Sequence, residues 1–188
     1  MSAADNNDAV SNNMASTGDD PKSETLNFLA WSALWSSLTS DELRDAAWHA
    51  LELPGNFSDV STAYWSTFHA GIPQPPIPAL IHAMLDLDGG GVREDWMRAA
   101  SYLELTWSHA LLPPDQLGPA CEIFALAVER EEPVIVEALT QRYLLPWLDL
   151  AQRQLNATEE PVLAEMLALF RQHVQEAIAT TNNITGNV

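Results

Sequence analysis

The residues best suited to chemistry lie in one short stretch of the chain, Leu112-Pro113-Pro114-Asp115-Gln116-Leu117-Gly118. Two prolines hold the backbone extended before Asp115, which stands where a helix N-cap is expected, because apolar residues at helical spacing follow it. A carboxylate at a helix start accepts amide hydrogens and stays ionised, which favours capping by Asp115 over a role as general base. Gln116 adds a neutral donor and acceptor at the same corner.

Five histidines are the other candidates for catalysis or metal binding, and none has a recognised spacing: His49, His69, His82, His109 and His173. His82 and His109 flank the central stretch, so a shared pocket is one hypothesis, but surface or cap roles are favoured for isolated histidines. Histidines and carboxylates do not cluster at the spacing of metal ligands. We therefore expect no catalytic residue, no metal site and no cofactor, in a protein that is not an enzyme.

Composition narrows the classes of partner. The chain has 188 residues, 47% of them hydrophobic, and a formal net charge of -18. This charge repels nucleic acid and anionic lipid and favours a basic peptide as partner. The single cysteine, Cys121, allows no internal disulfide, and neither a basic leader nor a membrane-spanning apolar run is present. We expect a cytoplasmic protein that does not insert into the membrane.

The spacing of apolar residues predicts an all-α, single-domain bundle of about eight helices. The predicted units are a disordered tail over 1–22, a helical domain over 23–179 and a flexible tail over 180–188. Helices are predicted over about 24–38, from a Thr39 capping box to Leu51, from about Ser58 to a C′ Gly71, and over about 79–87. The proline-rich segment 72–78 is predicted to be a stiff connector.

The second half of the chain is predicted to contain longer helices. Gly89-Gly90-Gly91 is interpreted as a flexible hinge, because no strand precedes it as a phosphate-binding loop would require. A helix is predicted over about 92–111, another reaching about Arg130, and a third over about 133–145 that Pro146 bends or breaks. A helix through Leu155 and a last one starting near Thr158 and Pro161 complete the domain.

Seven tryptophans are many for this length. Trp96 and Trp107 lie on predicted apolar stripes and are expected in the core. Trp31, Trp35 and Trp65 fall partly off their stripes, so we expect one or more of them to line a groove.

From about Leu26 to Leu155 the order of these features resembles the TorD/DmsD/NarJ family of cytoplasmic chaperones that mature molybdenum-containing oxidoreductases of the DMSO reductase family. Four segments carry the resemblance: an aromatic and proline-rich stretch, Tyr64-x-x-x-Phe68-x-x-Gly71 with Pro73, Pro75 and Pro76; Val92-Arg93 with its helix; Pro113-Pro114-Asp115-Gln116-Leu117-Gly118; and Tyr143-Leu144-Leu145-Pro146-Trp147-Leu148. Gln116 and Tyr143 stand where the family commonly has histidine, and Ile77-Pro78-Ala79 replaces aromatic and Glu-Ser residues.

The resemblance implies a chaperone for protein folding that binds the twin-arginine signal peptide, the apo catalytic subunit of its client, or both. Such a chaperone assists cofactor insertion and delays twin-arginine translocation until maturation is complete. The expected partners are that subunit and its leader, with the chain itself a monomer or homodimer. Asp115 is expected to face the arginines and Gln116 to bond peptide backbone. The expected peptide-binding residues are Pro114, Asp115, Gln116, Pro75, Pro76 and Tyr64.

Two other functions stay open at this point. One is a NarJ-type assembly factor for a membrane-attached reductase, and the other is a small helical enzyme, because fold does not fix function.

Overall fold

The computed structural model describes residues 21–106, 111–156 and 160–185, and within these ranges the regular structure is helical. A single antiparallel bridge between Leu80 and Gln116 is the β-type pairing seen in this part. The predicted all-α class is therefore confirmed. The helices are α1 (Ser23–Trp35), α2 (Asp41–Ala50), α3 (Phe57–Phe68), α4 (Ile81–Leu85), α5 (Gly89–Tyr102), α6 (Leu117–Glu129), α7 (Pro133–Leu139), α8 (Leu145–Leu155) and α9 (Pro161–Thr185).

Helix α6 is the centre of the bundle. Its sequence is apolar on nearly every side, and most of its residues from Leu117 to Val128 are buried, including Cys121. A helix that is apolar all round must be covered on all sides. Helix α1 packs along it closely, because a Cβ added at Gly118 would lie only 2.9 Å from Cα of Ser36. The glycine that follows the central stretch thus allows two helices to meet.

Aromatic rings fill the space around α1. Trp31 and Trp35 are completely buried, and both pack against Phe170 of α9. Neither Trp31 nor Trp35 therefore lines a groove, which leaves Trp65 as the one member of the predicted set with exposed surface. Trp96 is buried as predicted, Trp65 is partly buried, and Trp107 lies outside the described residues.

The triple glycine is the first turn of α5 and not a hinge. Asp88 is the N-cap, and its carboxylate accepts a hydrogen bond of 2.8 Å from the amide of Gly91. A Cβ added at Gly89 would lie 2.9 Å from the imidazole of His82. Gly89 is therefore explained by the close packing of the His82 side chain from α4 against it.

Helix α5 is shorter than predicted. It ends at Tyr102, and Glu104 has a φ of 56°, in the left-handed region that stops a helix. The rest of the predicted helix includes residues 107–110, which are not described. Helix α3 also ends early, at Phe68, and Gly71 is not a left-handed C′ residue. Backbone of residues 74 and 75 instead occupies the space beside it.

Pro146 neither breaks nor sharply ends its helix. A π-helical turn, Thr140–Leu144, joins α7 to α8, and Pro146 falls in the first turn of α8, where a missing amide hydrogen costs little. With 133–155 counted as one continuous stretch, the described part has the eight helical segments predicted.

The start of α2 and the end of α9 also differ from the prediction. Ser40, not Thr39, caps α2, with its hydroxyl accepting from Leu43. Helix α9 extends to Thr185, so most of the predicted C-terminal tail over 180–188 is helical. The predicted tail over 1–22 falls almost entirely outside the described residues, which begin at 21.

Candidate functional site

Asp115 is completely buried and belongs to a charge cluster inside the chain. Its carboxylate accepts hydrogen bonds from Nδ1 of His82 on α4 and, at 3.1 Å, from Nε of Arg93 on α5. The N-cap residue of α6 is Gln116, whose side chain makes no capping bond, so the prediction that Asp115 caps this helix is wrong. The carboxylate instead forms charge-assisted hydrogen bonds with side chains of two other helices.

Backbone hydrogen bonds fasten the central stretch to the proline connector. The amide of Ile81 donates to the carbonyl of Asp115, and the amide of Leu117 donates to the carbonyl of Ala79, each at 2.9 Å. The indole of Trp147 donates to the carbonyl of Pro78, also at 2.9 Å. Three segments that are distant in the sequence therefore meet at one corner.

A cavity of about 330 Å³ opens at this corner, here called the Gln116 pocket. Aliphatic and proline side chains dominate its wall, and its polar side chains are those of His69, Gln74 and Gln116. Its lining residues are Phe68, His69, Gln74, Pro75, Pro78, Ala79, Leu80, Ala83, Leu112, Pro113 and Gln116.

Gln116 is nearly buried, and its Oε1 atom accepts no hydrogen bond from the described residues. An unpaired buried acceptor costs about 1–3 kcal/mol. A ligand N–H or O–H group that reached this atom would remove that cost.

His69 adds a second neutral acceptor to the pocket. The hydroxyl of Tyr64 donates to the carbonyl of Leu34 at 2.7 Å, so Nε2 of His69, 3.1 Å from the same hydroxyl, is the donor in their contact. Nδ1 of His69 is then an acceptor. Burial, assisted by the positive charge of Arg44, lowers the pKa of His69 from 6.5 to about 4, so the ring is neutral near pH 7.

The predicted peptide-binding residues do not all reach the pocket. Gln116 and Pro75 line it, whereas Pro76 and Pro114 do not, although Pro76 is exposed. Tyr64 is completely buried and has no surface to offer a peptide. Asp115 likewise has no exposed surface, and its carboxylate already pairs with Arg93. It therefore does not face an incoming arginine.

Sequence reasoning placed His82 beside the central stretch but missed His69 as part of this corner. His69 directly follows Phe68 at the end of α3, and only the packing of α3 against the connector brings it to the pocket. His109, which was considered as a partner for His82, lies outside the described residues. The partner of His82 is Asp115.

A second apolar cavity of about 570 Å³ lies between α5 and α7, and we call it the α5–α7 groove. Its floor includes Ala99, Ile135 and Leu139, and charged side chains stand at its rim. Tyr143 and Arg142 both donate to the carboxylate of Asp95, at 2.5 and 2.8 Å. Burial and the neighbouring Asp95 raise the pKa of Tyr143 to about 12. The phenol therefore stays protonated and keeps donating to Asp95 at neutral pH.

Within the described residues, no group of histidine, cysteine and acidic side chains is arranged to hold a metal ion. None of the helices described above has the length and apolar character needed to cross a bilayer.

Comparisons of the chain with models of protein families, with curated proteins and with solved structures give no match.

Proposed function

We propose that this protein is a cytoplasmic, non-enzymatic chaperone of the TorD/DmsD/NarJ type for a molybdenum-containing oxidoreductase. In this role it binds the twin-arginine leader of the apo catalytic subunit, assists cofactor insertion and delays export. The motifs in the sequence suggest the family. The observation that carries the proposal from the structure is the Gln116 pocket, whose residues come from the proline connector and the central stretch.

The chemistry of the pocket suits a peptide. Oε1 of Gln116 and Nδ1 of His69 are neutral acceptors that suit hydrogen donors, and the proline and leucine walls suit an aliphatic surface. A peptide backbone amide next to an apolar side chain offers both, which is the usual pattern of a site that is mostly apolar with a few placed polar groups. This supports the role of Gln116 as a contact to peptide backbone.

The net negative charge of the chain also favours a basic partner, because electrostatic attraction acts over a longer range than contacts in the pocket. With 26 acidic and 8 basic residues, the chain attracts a leader that carries arginines and speeds its association at low salt. In this proposal Asp115 acts on the partner only indirectly, because it holds α4, α5 and the central stretch together.

Binding of synthetic peptides tests the proposal. A fluorescein-labelled peptide with a twin-arginine pair followed by an apolar segment is titrated with the full chain, with anisotropy as the readout. Saturable binding is expected, at least tenfold weaker for a peptide whose arginines are replaced by glutamine. Equal binding of the two peptides, or no binding of either, contradicts the proposal for the leader.

Co-purification distinguishes the proposed function from the two alternative functions. Coexpression with an apo molybdenum subunit, with and without its leader, is expected to give a complex that depends on the leader. A complex that forms equally well without the leader favours a NarJ-type assembly factor. Turnover of a small molecule with no subunit attached favours an enzyme.

A further inference from the structure

Helix α1 is apolar on the side that faces solvent as well as on the side that faces the core. Trp31 lies on its buried side. On the opposite side Leu26 and Leu29 are 50% and 46% exposed, and Ala30 and Ala33 share that side at helical spacing. A helix that is apolar all round needs cover on every side. In the part of the chain that the structure describes, this side stays open to solvent.

Helix α2 continues this surface with an apolar flank of its own. Leu43 is 56% exposed, and Ala46 and Ala50, three and seven residues later, are exposed on the same side of the helix. The other exposed flank carries Asp45, whose carboxylate accepts a hydrogen bond of 3.0 Å from the amide of Phe57 at the start of α3. Because that flank faces α3, the flank with Leu43 faces away from α3 and lies beside the open side of α1.

The two helices together present one apolar surface, which we call the α1–α2 face. Its residues are Leu26, Leu29, Ala30, Ala33, Leu43, Ala46 and Ala50. Helix α1 has 13 residues and is about 20 Å long. Two helices packed 8–10 Å apart, each 10–12 Å across, make the face about 20 Å wide. Two copies of the face therefore cover about 800 Å² in projection, and more when the relief of the side chains is counted, which suits a weak protein–protein interface.

Large and small side chains alternate diagonally across the α1–α2 face. The chain reverses direction between α1 and α2 over residues 36–40, and Arg44 of α2 donates to the backbone of α1, which fixes their register. Leu26 and Ala50 are equally far along the chain from the middle of this turn, so they lie at the same level at one end of the face. Ala33 and Leu43 correspond in the same way at the other end.

This diagonal pattern is complementary to itself. When a second copy is turned over about a two-fold axis parallel to the helices, α1 of each copy lies over α2 of the other. Each leucine on one face then meets an alanine on the other face. Large side chains enter the spaces that small side chains leave, as in the packing of ridges into grooves, and the four helices form a bundle. An isologous interface requires such a self-complementary surface.

The distribution of charge favours this orientation over the other two-fold arrangement. Helix α2 carries the carboxylates of Asp41, Glu42 and Asp45, whereas Glu24 is the one carboxylate of α1. An axis perpendicular to the helices would place α2 over α2 and bring two acidic helices together. With α1 over α2, the acidic helix of each copy lies against the less charged helix of the other.

We propose that the α1–α2 face is the interface of a weak homodimer in which α1 of each copy lies over α2 of its partner. The other occupant that this chain could supply, the segment 1–20, contains only Met1, Val10 and Met14 as large apolar residues and four aspartates, which suits an apolar face poorly. The Gln116 pocket has no lining residue on α1 or α2, so this interface is separate from it.

Sedimentation equilibrium of the full chain over a range of concentrations tests the dimer. Wild type is expected to dimerise, and more tightly at high salt than at low salt. Each copy has a formal net charge of -18, so two copies repel each other until salt screens that charge, while the apolar contact remains. A wild type that stays monomeric at every concentration and at both salt levels would overturn the proposal.

One pair of variants locates the interface. Leu29→Glu places a charge in the centre of the face and is expected to raise the dissociation constant of the dimer about tenfold or more. Leu87→Glu is the matched control, because Leu87 is also 46% exposed and lies outside the face. It should dimerise like wild type. Circular dichroism verifies that both variants fold, and equal dimerisation of the two variants would reject this face.

A second set of variants tests how the two copies fit. Ala50→Leu adds apolar surface but fills the space that Leu26 of the other copy occupies, so it should weaken the dimer about fivefold or more. Leu26→Ala added to Ala50→Leu exchanges large for small at that contact and should restore the dimer. Tighter association of Ala50→Leu would indicate unspecific apolar contact. Failure of the double variant to restore the dimer would reject the placement of α1 over α2.

Discussion

The charge cluster at Asp115 and the Gln116 pocket adjoin in the sequence but differ in how their polar groups are satisfied. The Asp115 carboxylate has partners on two helices, His82 and Arg93, and is completely buried. The Gln116 side chain, one residue later, is nearly buried and its oxygen accepts no bond from the described residues. Because an unpaired buried acceptor is costly, the first region stabilises the fold, whereas the second is the one to which the proposed function assigns a ligand.

Arg44, beside the C-terminal end of α1, extends the comparison. Its buried guanidinium donates to the carbonyls of Leu34 and Ser36, at 3.3 and 2.7 Å, and to Asp41 at 2.9 Å. The same group lies 4.8 Å from the ring of Trp65. Like Asp115, it is a buried charge with internal partners, so burial alone does not mark a binding residue.

Loss of the Asp115 carboxylate is expected to have the largest effect. Asp115→Ala leaves Arg93 and His82 without their shared acceptor and removes the tie between α4, α5 and the central stretch. Loss of an acceptor that leaves its donors unsatisfied costs about 1–3 kcal/mol, and Arg93, with 45% of its side chain exposed, can regain a partner in water. Urea unfolding followed by tryptophan fluorescence measures this loss, with Glu165→Ala on the exposed side of α9 as control. Equal midpoints for the two variants would show that the cluster contributes little.

The general fold could be predicted because helical periodicity is a local signal. The all-α class and the continuous apolar character of α6 follow from residue spacing, and the structure confirms both. The central corner followed only from the resemblance, which grouped Gln116 with the prolines before any contact between them was known.

The partners of Asp115 could not be predicted in this way. They lie 33 and 22 residues away in the sequence, whereas the helix amides that a cap would bind are local. Local sequence preference predicts that Asp115 caps α6. In the structure, its contacts with His82 and Arg93, which are distant in the sequence, determine its position instead. Gly89 follows the same rule, since its small size makes room for the His82 ring, which belongs to another helix.

A change at Gln116 is expected to affect binding and not stability. Gln116→Leu removes an unpaired buried oxygen, so the free energy of unfolding should stay equal or rise slightly. Affinity for the leader should fall about tenfold, or about 1.4 kcal/mol, because the peptide loses an acceptor. Urea unfolding and anisotropy measure the two effects, and Gln154→Leu, at an exposed position on α8, is the control. A variant that loses stability and keeps its affinity would reverse the assignment of the two regions.

A pH-dependent effect concerns His69, which joins the pocket to the core through Tyr64. Its pKa is about 4 in the folded protein and near 6.5 when unfolded, so between these values the unfolded chain binds the extra proton. Stability attributable to the neutral ring is therefore complete above pH 6.5 and falls as the pH drops toward 4, by at most about 1.4 kcal/mol per pH unit. Burial also lowers the pKa of His173, which therefore adds to the dependence of stability on pH.

In urea unfolding between pH 7 and 5, His69→Gln should lose less stability than wild type. Parallel loss in both proteins would mean that the folded protein protonates His69 readily, and the pocket would then contain a cation that repels the arginines of the leader.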